Sequence, residues 1–341
     1  MYDMTMASRM KDIARDLSVS VITVSKVLRN HPDISEATRD RVLRRMKELN
    51  YRPNMAARAL VTGKSYSIGL IVPDLVHPFF AELARGISRI LRERGYGLMI
   101  SSSEENAGLE REEIEQMMGR RVDAVIIAST QLTVESFRQM EERRVPYVLL
   151  DRQFADLAAN FVGIDDERAG ALATEHLISV GCRRIAHIRG PEVSTSIGRL
   201  TGYKRALAQH GLEVPDGYLV REETGDEGGD TSGYEAMKKL LAITPRPDGL
   251  FCYNDPTALG AMRAIVEAGL KIPGDIAVIG CGNVVYASFL TVPLSSIDQD
   301  NFEMGKRAGE LALSLLASRT KTKPQTILLE PKVVVRTSSA R

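Results

Sequence analysis

Polar side chains follow the short, strongly apolar runs of the second part of the chain. Such runs are typical of buried parallel strands, and ligands bind beyond the carboxyl ends of those strands. Carboxylates, amides and a few aromatic rings at this edge suit a polyhydroxylated or carboxylated small molecule. The candidate residues at these ends are Asp74, His77, Phe79, Phe80, Ser101 to Ser103, Asp151, Arg152, Asp165, Asp166, Gly190, Asn254, Asp255, Gly282, Asn283, Asp298 and Gln299.

Some acidic residues at the strand ends have a structural alternative. A side-chain oxygen just before a helix often accepts a hydrogen bond from the free N–H groups of the first helical turn. We therefore interpret Asp165, Asp166 and Asp255 as helix caps rather than as ligand contacts.

The elements that must position these residues alternate between strand and helix from Tyr66 onward. SIGLIVPD predicts a buried strand, PFFAELARGISRILRERG predicts a helix, and the alternation continues to VPYVLLD. After an irregular connection at residues 152–160, the pattern restarts with FVGID. Two such series predict an α/β body of two doubly wound parallel-sheet lobes.

The first 64 residues differ from the rest in charge. They hold 13 Lys and Arg against 7 Asp and Glu, whereas the remaining residues hold 32 and 37, so the net charge of +1 hides a basic head. A basic head on an acidic body favours a nucleic-acid contact at one end, although solvated basic faces are common. No apolar run reaches membrane-spanning length, and no secretory signal pattern opens the chain, so we expect a cytoplasmic protein.

Three short helices are predicted in the basic head. MKDIARDL has one apolar face, VITVSKVLRN turns Val24, Val27 and Leu28 inward, and a third helix begins near Ser35. Two helices joined by a tight turn and braced by a third form a helix-turn-helix, whose second helix enters the major groove of DNA. Ser20 is expected to cap that helix, and outward Val21 and Ile22 suit thymine methyl groups. A three-helix bundle with another role is the alternative.

The run from KDIARDL to YRPNMAARAL resembles the DNA-binding head of the lactose-repressor (LacI/GalR) family. The resemblance implies that PNMAARAL is a hinge that folds in the minor groove. It also implies that Leu60 wedges between base steps there, where ordinary core packing is the alternative. Two departures are Ser18, where the family usually has glycine, and Lys26, where arginine is frequent. The implied DNA contacts are Ser20, Val21, Ile22, Thr23, Ser25, Lys26, Arg29, His31, Asn54, Arg58 and Leu60.

The same resemblance implies an effector pocket between the two lobes. Matching motifs carry over Asp151, Arg199, Asn254 and Gln299. The weaker matches are His77, Phe80, Arg152, Ser196 and Asp298, and Asn283 completes the implied effector contacts. A departure is Gly282, which stands where many members have a ligand-binding carboxylate. Arg152 and Arg199 suggest an anionic effector such as a sugar acid. If either arginine instead pairs with a neighbouring aspartate, it is not available to an effector carboxylate, and the effector is expected to be a neutral sugar.

The resulting domain prediction has three parts. It comprises a helix-turn-helix domain at 8–52, a hinge at 53–64 and a bilobed, periplasmic-binding-protein-like domain at 65–341. The first lobe is expected at 65–160 and 296–320, and the second at 161–295 and 321–341, with three crossings between them. The predicted function is a sequence-specific transcriptional repressor controlled by a sugar or sugar acid. We expect it to bind a pseudopalindromic DNA operator as a homodimer.

Other functional classes lack support in the sequence. There is no GxSxG, GxxxxGK[ST] or HExxH motif, so we predict no catalytic residues, no metal and no cofactor. Cys182, Cys252 and Cys281 lack paired spacing and are expected to be buried thiols. A solute-binding receptor of the bilobed type is the alternative function, but the basic head argues against it.

Overall fold

The computed structural model describes residues 9–28, 31–51, 59, 62–221, 229–318, 320 and 323–341 of the 341-residue chain. The chain divides into two compact units, a head that ends at Ser65 and a body that begins at Tyr66. Within the described ranges, no helix is long and apolar enough to cross a membrane.

The head contains three helices, α1 (Met10–Asp16), α2 (Val21–Leu28) and α3 (Glu36–Glu48). Their facing sides bury one small core, which includes Ile13, Val24, Val27 and Val42. Burial of Val24 and Val27 confirms the predicted inner face of α2. Leu43 on α3 lies outside this core and is exposed.

The body alternates between strands and helices, as predicted. In chain order its elements are β1 (Ser67–Val72), α4 (Pro78–Glu93), β2 (Gly97–Ser102), α5 (Ala107–Gly119), β3 (Ala124–Ile127), α6 (Glu135–Glu142), β4 (Tyr147–Leu150), β5 (Phe161–Ile164), α7 (Asp166–Ser179), β6 (Ile185–Arg189), α8 (Ser194–Gln209), β7 (Leu219–Arg221), α9 (Gly229–Leu241), β8 (Gly249–Cys252), α10 (Asp255–Glu267), β9 (Ala277–Cys281), a 3-10 turn (Val285–Ser288), β10 (Ser295–Asp298), α11 (Asn301–Ala317), β11 (Thr326–Leu329) and β12 (Lys332–Val334).

Two six-stranded sheets form the cores of two lobes. The first sheet has the order β11-β5-β4-β3-β1-β2, and all its strands are parallel. The second has the order β12-β10-β9-β8-β6-β7, in which β12 alone runs antiparallel to its neighbour. Central strands such as β3, β4 and β8 are buried along their whole length, which explains their uninterrupted apolar runs.

The chain crosses between the lobes three times, as predicted, but the predicted lobe boundaries are wrong at three strands. β5 and β11 belong to the first sheet, and β10 belongs to the second. The crossings therefore lie at Asp165, at residues 299–300 and at residues 330–331. The connection at 152–160 suggested a lobe boundary because it contains no helix, yet it joins two parallel neighbours of one sheet.

Candidate nucleic-acid interface and inter-lobe site

The tight turn between α1 and α2 depends on a left-handed serine. Ser18 has φ 53°, and the amide of Val19 donates to the carbonyl of Ala14 at 2.9 Å. A left-handed residue there ends α1 and redirects the chain into α2. Glycine adopts this conformation without steric strain, so the serine keeps the turn at the expense of some strain.

The beginning of α2 presents hydroxyl and apolar groups together. Ser20 Oγ accepts from the Thr23 amide at 3.0 Å and lies 2.9 Å from Thr23 Oγ1, which confirms Ser20 as the cap. Val21 and Ile22 are 37% and 66% exposed. Hydroxyls beside exposed apolar groups suit contacts with base edges and thymine methyl groups, so this end of α2 fits a recognition surface.

Two of the predicted DNA contacts share one carboxylate. Lys26 Nζ lies 2.5 Å from Asp33 Oδ2, and His31 Nδ1 lies 2.5 Å from Asp33 Oδ1. The hydrogen bond from Lys26 is the main reason that the pKa of Asp33 lies below its usual range. The sequence reasoning did not foresee Asp33. The predicted contacts Arg29, Asn54, Arg58 and Leu60 lie outside the described residues.

In the body, six of the predicted ligand residues come together between the lobes. We call this group the inter-lobe site, and its members are His77, Asp151, Arg152, Arg199, Asn254 and Gln299. They follow β1, β4, β8 and β10, or lie in the first turns of α8. The site is therefore at the carboxyl ends of strands from both sheets, as the doubly wound pattern predicts.

Arg199 donates hydrogen bonds to three different residues of the second lobe and the crossing segment. Its guanidinium donates to Asp166 Oδ1 at 2.9 Å, to the Tyr253 carbonyl at 2.8 Å and to Gln299 Oε1 at 3.4 Å. Helices α7 and α8 pack backbone against backbone at Gly170, where an added Cβ would overlap the Arg199 carbonyl. This close packing brings Arg199 to Asp166 at the start of α7.

Arg152 has its own carboxylate partner. It donates to both oxygens of Glu105, at 2.9 and 2.7 Å, and its side chain is 6% exposed. Bidentate pairing of this kind satisfies the charge of a buried guanidinium. Arg152 and Arg199 therefore each have a carboxylate partner, although the partner of Arg152 is a glutamate rather than a neighbouring aspartate.

Asp151 differs from the two arginines because its carboxylate makes no hydrogen bond among the described residues. It sits in a γ-turn with φ 63°, where the Arg152 amide donates to the Leu150 carbonyl at 2.6 Å. Burial raises the pKa of Asp151, and the nearby Arg199 and Arg152 oppose this shift. A buried carboxylate held in this way is an acceptor that a ligand hydroxyl can use.

His77 and Asn254 face each other from the two lobes. His77 caps α4 and Asn254 caps α10, and His77 Nε2 lies 3.4 Å from Asn254 Nδ2. Phe80 packs its ring 5.6 Å from the imidazole, measured between centroids. Burial lowers the pKa of His77 to about 4, so the ring is neutral near pH 7.

Two of the three predicted helix caps are wrong. Asp165 does cap α7 by accepting from the Arg168 amide at 2.9 Å. Asp166 instead pairs with Arg199, and Asp255 accepts from Ser296 Oγ at 2.6 Å and the Val284 amide at 2.8 Å. Asn254 takes the cap of α10, so Asp255 turns back toward the neighbouring strand end.

Three further predicted ligand residues have other or undetermined surroundings. Asn283 Oδ1 accepts from Arg336 Nη2 at 2.6 Å, and Asp298 Oδ1 accepts from the Asp300 amide at 3.0 Å. Ser196 is buried in the first turn of α8. The interactions of Asn283 and Asp298 thus hold the second lobe and its crossing segment rather than the inter-lobe site.

Comparison with known proteins gives consistent matches for both units. The family of bacterial regulatory proteins, lacI family, matches residues 9–54, and the periplasmic binding protein-like domain matches residues 174–339. The ribose operon repressor of Escherichia coli (strain K12) is 37% identical over 337 residues, which cover 97% of this chain and 99% of that protein. The chain belongs to the lacI family.

Other members and solved structures agree with this lacI-family assignment. Catabolite control protein A of Priestia megaterium is 35% identical over 311 residues, which cover 91% of this chain and 92% of that protein. The Lac repressor dimer bound to operator and the anti-inducer ONPF has a TM-score of 0.85 at 26% identity, and covers 98% of this chain and 100% of that one. This lacI-family chain is accordingly a DNA-binding transcription regulator with an effector-binding body.

The sequence reasoning missed three residues that complete the sites of this lacI-family regulator. Asp33 binds Lys26 and His31, Glu105 pairs with Arg152, and Tyr253 packs its ring 5.0 Å from the Arg199 guanidinium. Glu105 and Tyr253 adjoin strand ends that were recognised, so a search for charge partners at those ends could have found them.

Proposed function

We propose that this lacI-family regulator is a repressor whose operator binding is controlled by a neutral, sugar-like effector in the inter-lobe site. The observation that carries the proposal has two parts: the buried Asp151 carboxylate makes no hydrogen bond with any residue that the structure describes, and both arginines already have carboxylate partners. A neutral polyol can donate to Asp151 without adding charge to the site. A sugar acid would compete with Glu105 and Asp166 for the arginines.

The names of the relatives support a sugar. One relative is a ribose operon repressor, and a lacI-family regulator from Enterococcus faecium with bound ribose has a TM-score of 0.71 at 29% identity. That structure covers 80% of this chain and 98% of its own. D-Ribose is therefore the first sugar to test, with His77, Phe80, Asp151, Asn254 and Gln299 as the proposed contacts.

For the head, we propose that α2 reads the major groove with Ser20 to Lys26, and that His31 contacts the backbone. Two heads of a homodimer would read the halves of a pseudopalindrome, with the hinge at 53–64 between them. The exposed Val21 and Ile22 support this use of α2. The proposed function includes no chemical step, and a transcription regulator of this kind acts in the cytoplasm.

A thermal-shift titration tests the effector proposal. A ligand at 100 times its Kd stabilises a protein by about 2.7 kcal/mol. The compounds to test are neutral sugars, including D-ribose, and sugar acids. We expect D-ribose or another neutral sugar to raise the melting temperature, and the sugar acids to have no effect. Asp151→Asn should weaken binding of the active sugar at least tenfold, whereas Asp156→Asn, an exposed acid in the following loop, should not. A shift with sugar acids alone would contradict the proposal.

Selection from a pool of random DNA duplexes tests the role of the head. We expect the enriched sequences to be inverted repeats and to be protected from cleavage over both halves. Enrichment of single, asymmetric sites would contradict a homodimer on a pseudopalindrome. Addition of the active sugar should then change the affinity for the selected duplex. An unchanged affinity would show that sugar binding does not control DNA binding.

A further inference from the structure

Both ring nitrogens of His77 face hydrogen-bond donors. Nδ1 lies 3.2 Å from the Phe79 amide nitrogen, which can only donate, and Nε2 lies 3.4 Å from Asn254 Nδ2. A neutral imidazole has one acceptor nitrogen, and an imidazolium has none. Either tautomer therefore leaves one of the two contacts as a donor facing a donor.

Rotation of the Asn254 amide does not remove the conflict. Asn254 Oδ1 accepts from the Thr257 amide at 2.9 Å and from Thr257 Oγ1 at 2.7 Å. A rotated side chain would place its NH₂ group against the Thr257 N–H and lose the cap of α10. The orientation that caps the helix is thus the one that points a donor at His77.

The conflict lies across the boundary between the lobes. His77 caps α4, which packs against α11 in the first lobe, and Asn254 caps α10 in the second. Direct approach of the lobes at this point presses two donors together. An oxygen that accepts from both would turn the same contact into two hydrogen bonds.

We infer that the effector places an acceptor oxygen between His77 Nε2 and Asn254 Nδ2, and that the bare pair opposes closure of the lobes. The inference rests on the proposed function of the inter-lobe site. It requires a hydroxyl, ring or carbonyl oxygen at this end of the effector, whereas Asp151 requires a hydroxyl donor. An ammonium or amidinium group at the His77–Asn254 end would not fit.

Replacement of Asn254 by aspartate tests the pair without any effector. Aspartate caps helices as well as asparagine does. In Asn254→Asp, one carboxylate oxygen can keep the Thr257 bonds while the other accepts from His77 Nε2–H. We expect the effector-free variant to melt at least about 2 °C higher than the wild type and to have a smaller radius of gyration in solution scattering.

Asn106→Asp is the matched control. Asn106 caps α5 by accepting from the amides of Gly108 and Leu109, so the change adds the same charge at a helix N-terminus. The melting increase of Asn254→Asp should exceed that of Asn106→Asp. Serine at position 77 retains a capping oxygen but lacks the Nε2 donor. The double variant His77→Ser/Asn254→Asp should therefore not show this excess over its matched control.

Two outcomes would overturn the inference. One is equal melting temperatures for Asn254→Asp and Asn106→Asp. The other is an excess that persists with His77→Ser, since the new carboxylate would then act through Arg152 or Arg199. Both comparisons use effector-free protein, so they remain decisive even if D-ribose and the other sugars fail to bind and the proposed function is wrong.

Discussion

Ile22 is a single exposed side chain on which the reading of DNA can be tested. It is 66% exposed near the start of α2, and it lies outside the buried core of the head. We expect Ile22→Ala to leave the stability of the head within about 0.5 kcal/mol of the wild type. Loss of its contact with a base methyl group should weaken binding to the selected duplex about tenfold, measured by fluorescence anisotropy.

Leu43→Ala is the control for Ile22. Leu43 is also an exposed aliphatic residue of the head, at 47%, but it lies on α3. Its truncation should not change DNA affinity. Equal losses in the two variants would mean that exposed apolar surface in general, rather than the face of α2, contributes to binding.

His187 makes the stability of the body depend on pH. Burial lowers its pKa to about 4, its Nδ1 donates to the Phe251 carbonyl at 3.0 Å, and its Nε2 has no hydrogen-bond partner in the described part of the chain. Between pH 6.5 and pH 4 the unfolded chain binds a proton that the folded ring does not accept. Stability contributed by the neutral ring is therefore full above pH 6.5 and is lost as the pH falls toward 4, by on the order of 3 kcal/mol.

His187→Asn should remove that part of the pH dependence. Asparagine can still donate to the Phe251 carbonyl but does not titrate. In urea unfolding, we expect a smaller loss of stability between pH 6.5 and 4 than in the wild type, with the contribution of His77 unchanged. The exposed His210 at the end of α8 provides the control. If His210→Asn reduced the loss of stability between pH 6.5 and 4 as much as His187→Asn does, this pH dependence would not come from His187.

At the scale of elements, the turn between α1 and α2 carries strain that a substitution can relieve. Ser18 has φ 53°. We expect Ser18→Gly to stabilise the head by on the order of 1 kcal/mol. Slower hydrogen exchange of the α2 amides would show this. Asn50 has φ 46°, and asparagine tolerates that conformation, so Asn50→Gly should give a smaller gain. Equal effects would mean that Ser18 is unstrained.

Elements with a strong local pattern could be predicted from the sequence, and the pairs between elements could not. The apolar runs of β1 and β3, and the capping Ser20 of α2, are local signals that the structure confirms. The partners of Arg199 lie 33 residues before it and 100 residues after it. No local pattern states that Asp166 pairs with Arg199 while the preceding Asp165 caps the helix.

The assignment of strands to lobes failed for a related reason. Short strands such as β10 and β11 carry too little sequence to indicate which sheet they join. The sheet is decided by the crossing segments, which are one or two residues long and have no periodic pattern. Most members of the inter-lobe site were easier to predict, because strand ends mark them in each lobe independently. Arg199 lies in α8 and came only from the family resemblance.

For the whole molecule, we expect the body to keep its function without the head. Both sheets and their covering helices lie between Tyr66 and Arg341. A chain that begins at Tyr66 should bind the active sugar with the affinity of the full chain, measured by calorimetry, and should lose binding to the selected duplex. A large loss of sugar affinity would show that the head contributes to the effector site.

The three crossings also constrain how such a protein can exchange parts during evolution. The second lobe is encoded by residues 166–298 together with the segment that begins at β12, and the first lobe is split in the same way. A single recombination within the body would join half of one lobe to a foreign remainder. Transfer of an intact lobe needs coordinated exchanges at all three crossings. A new ligand preference is therefore acquired more readily by point substitutions in the inter-lobe site, or by replacing the whole body behind one junction near residue 65.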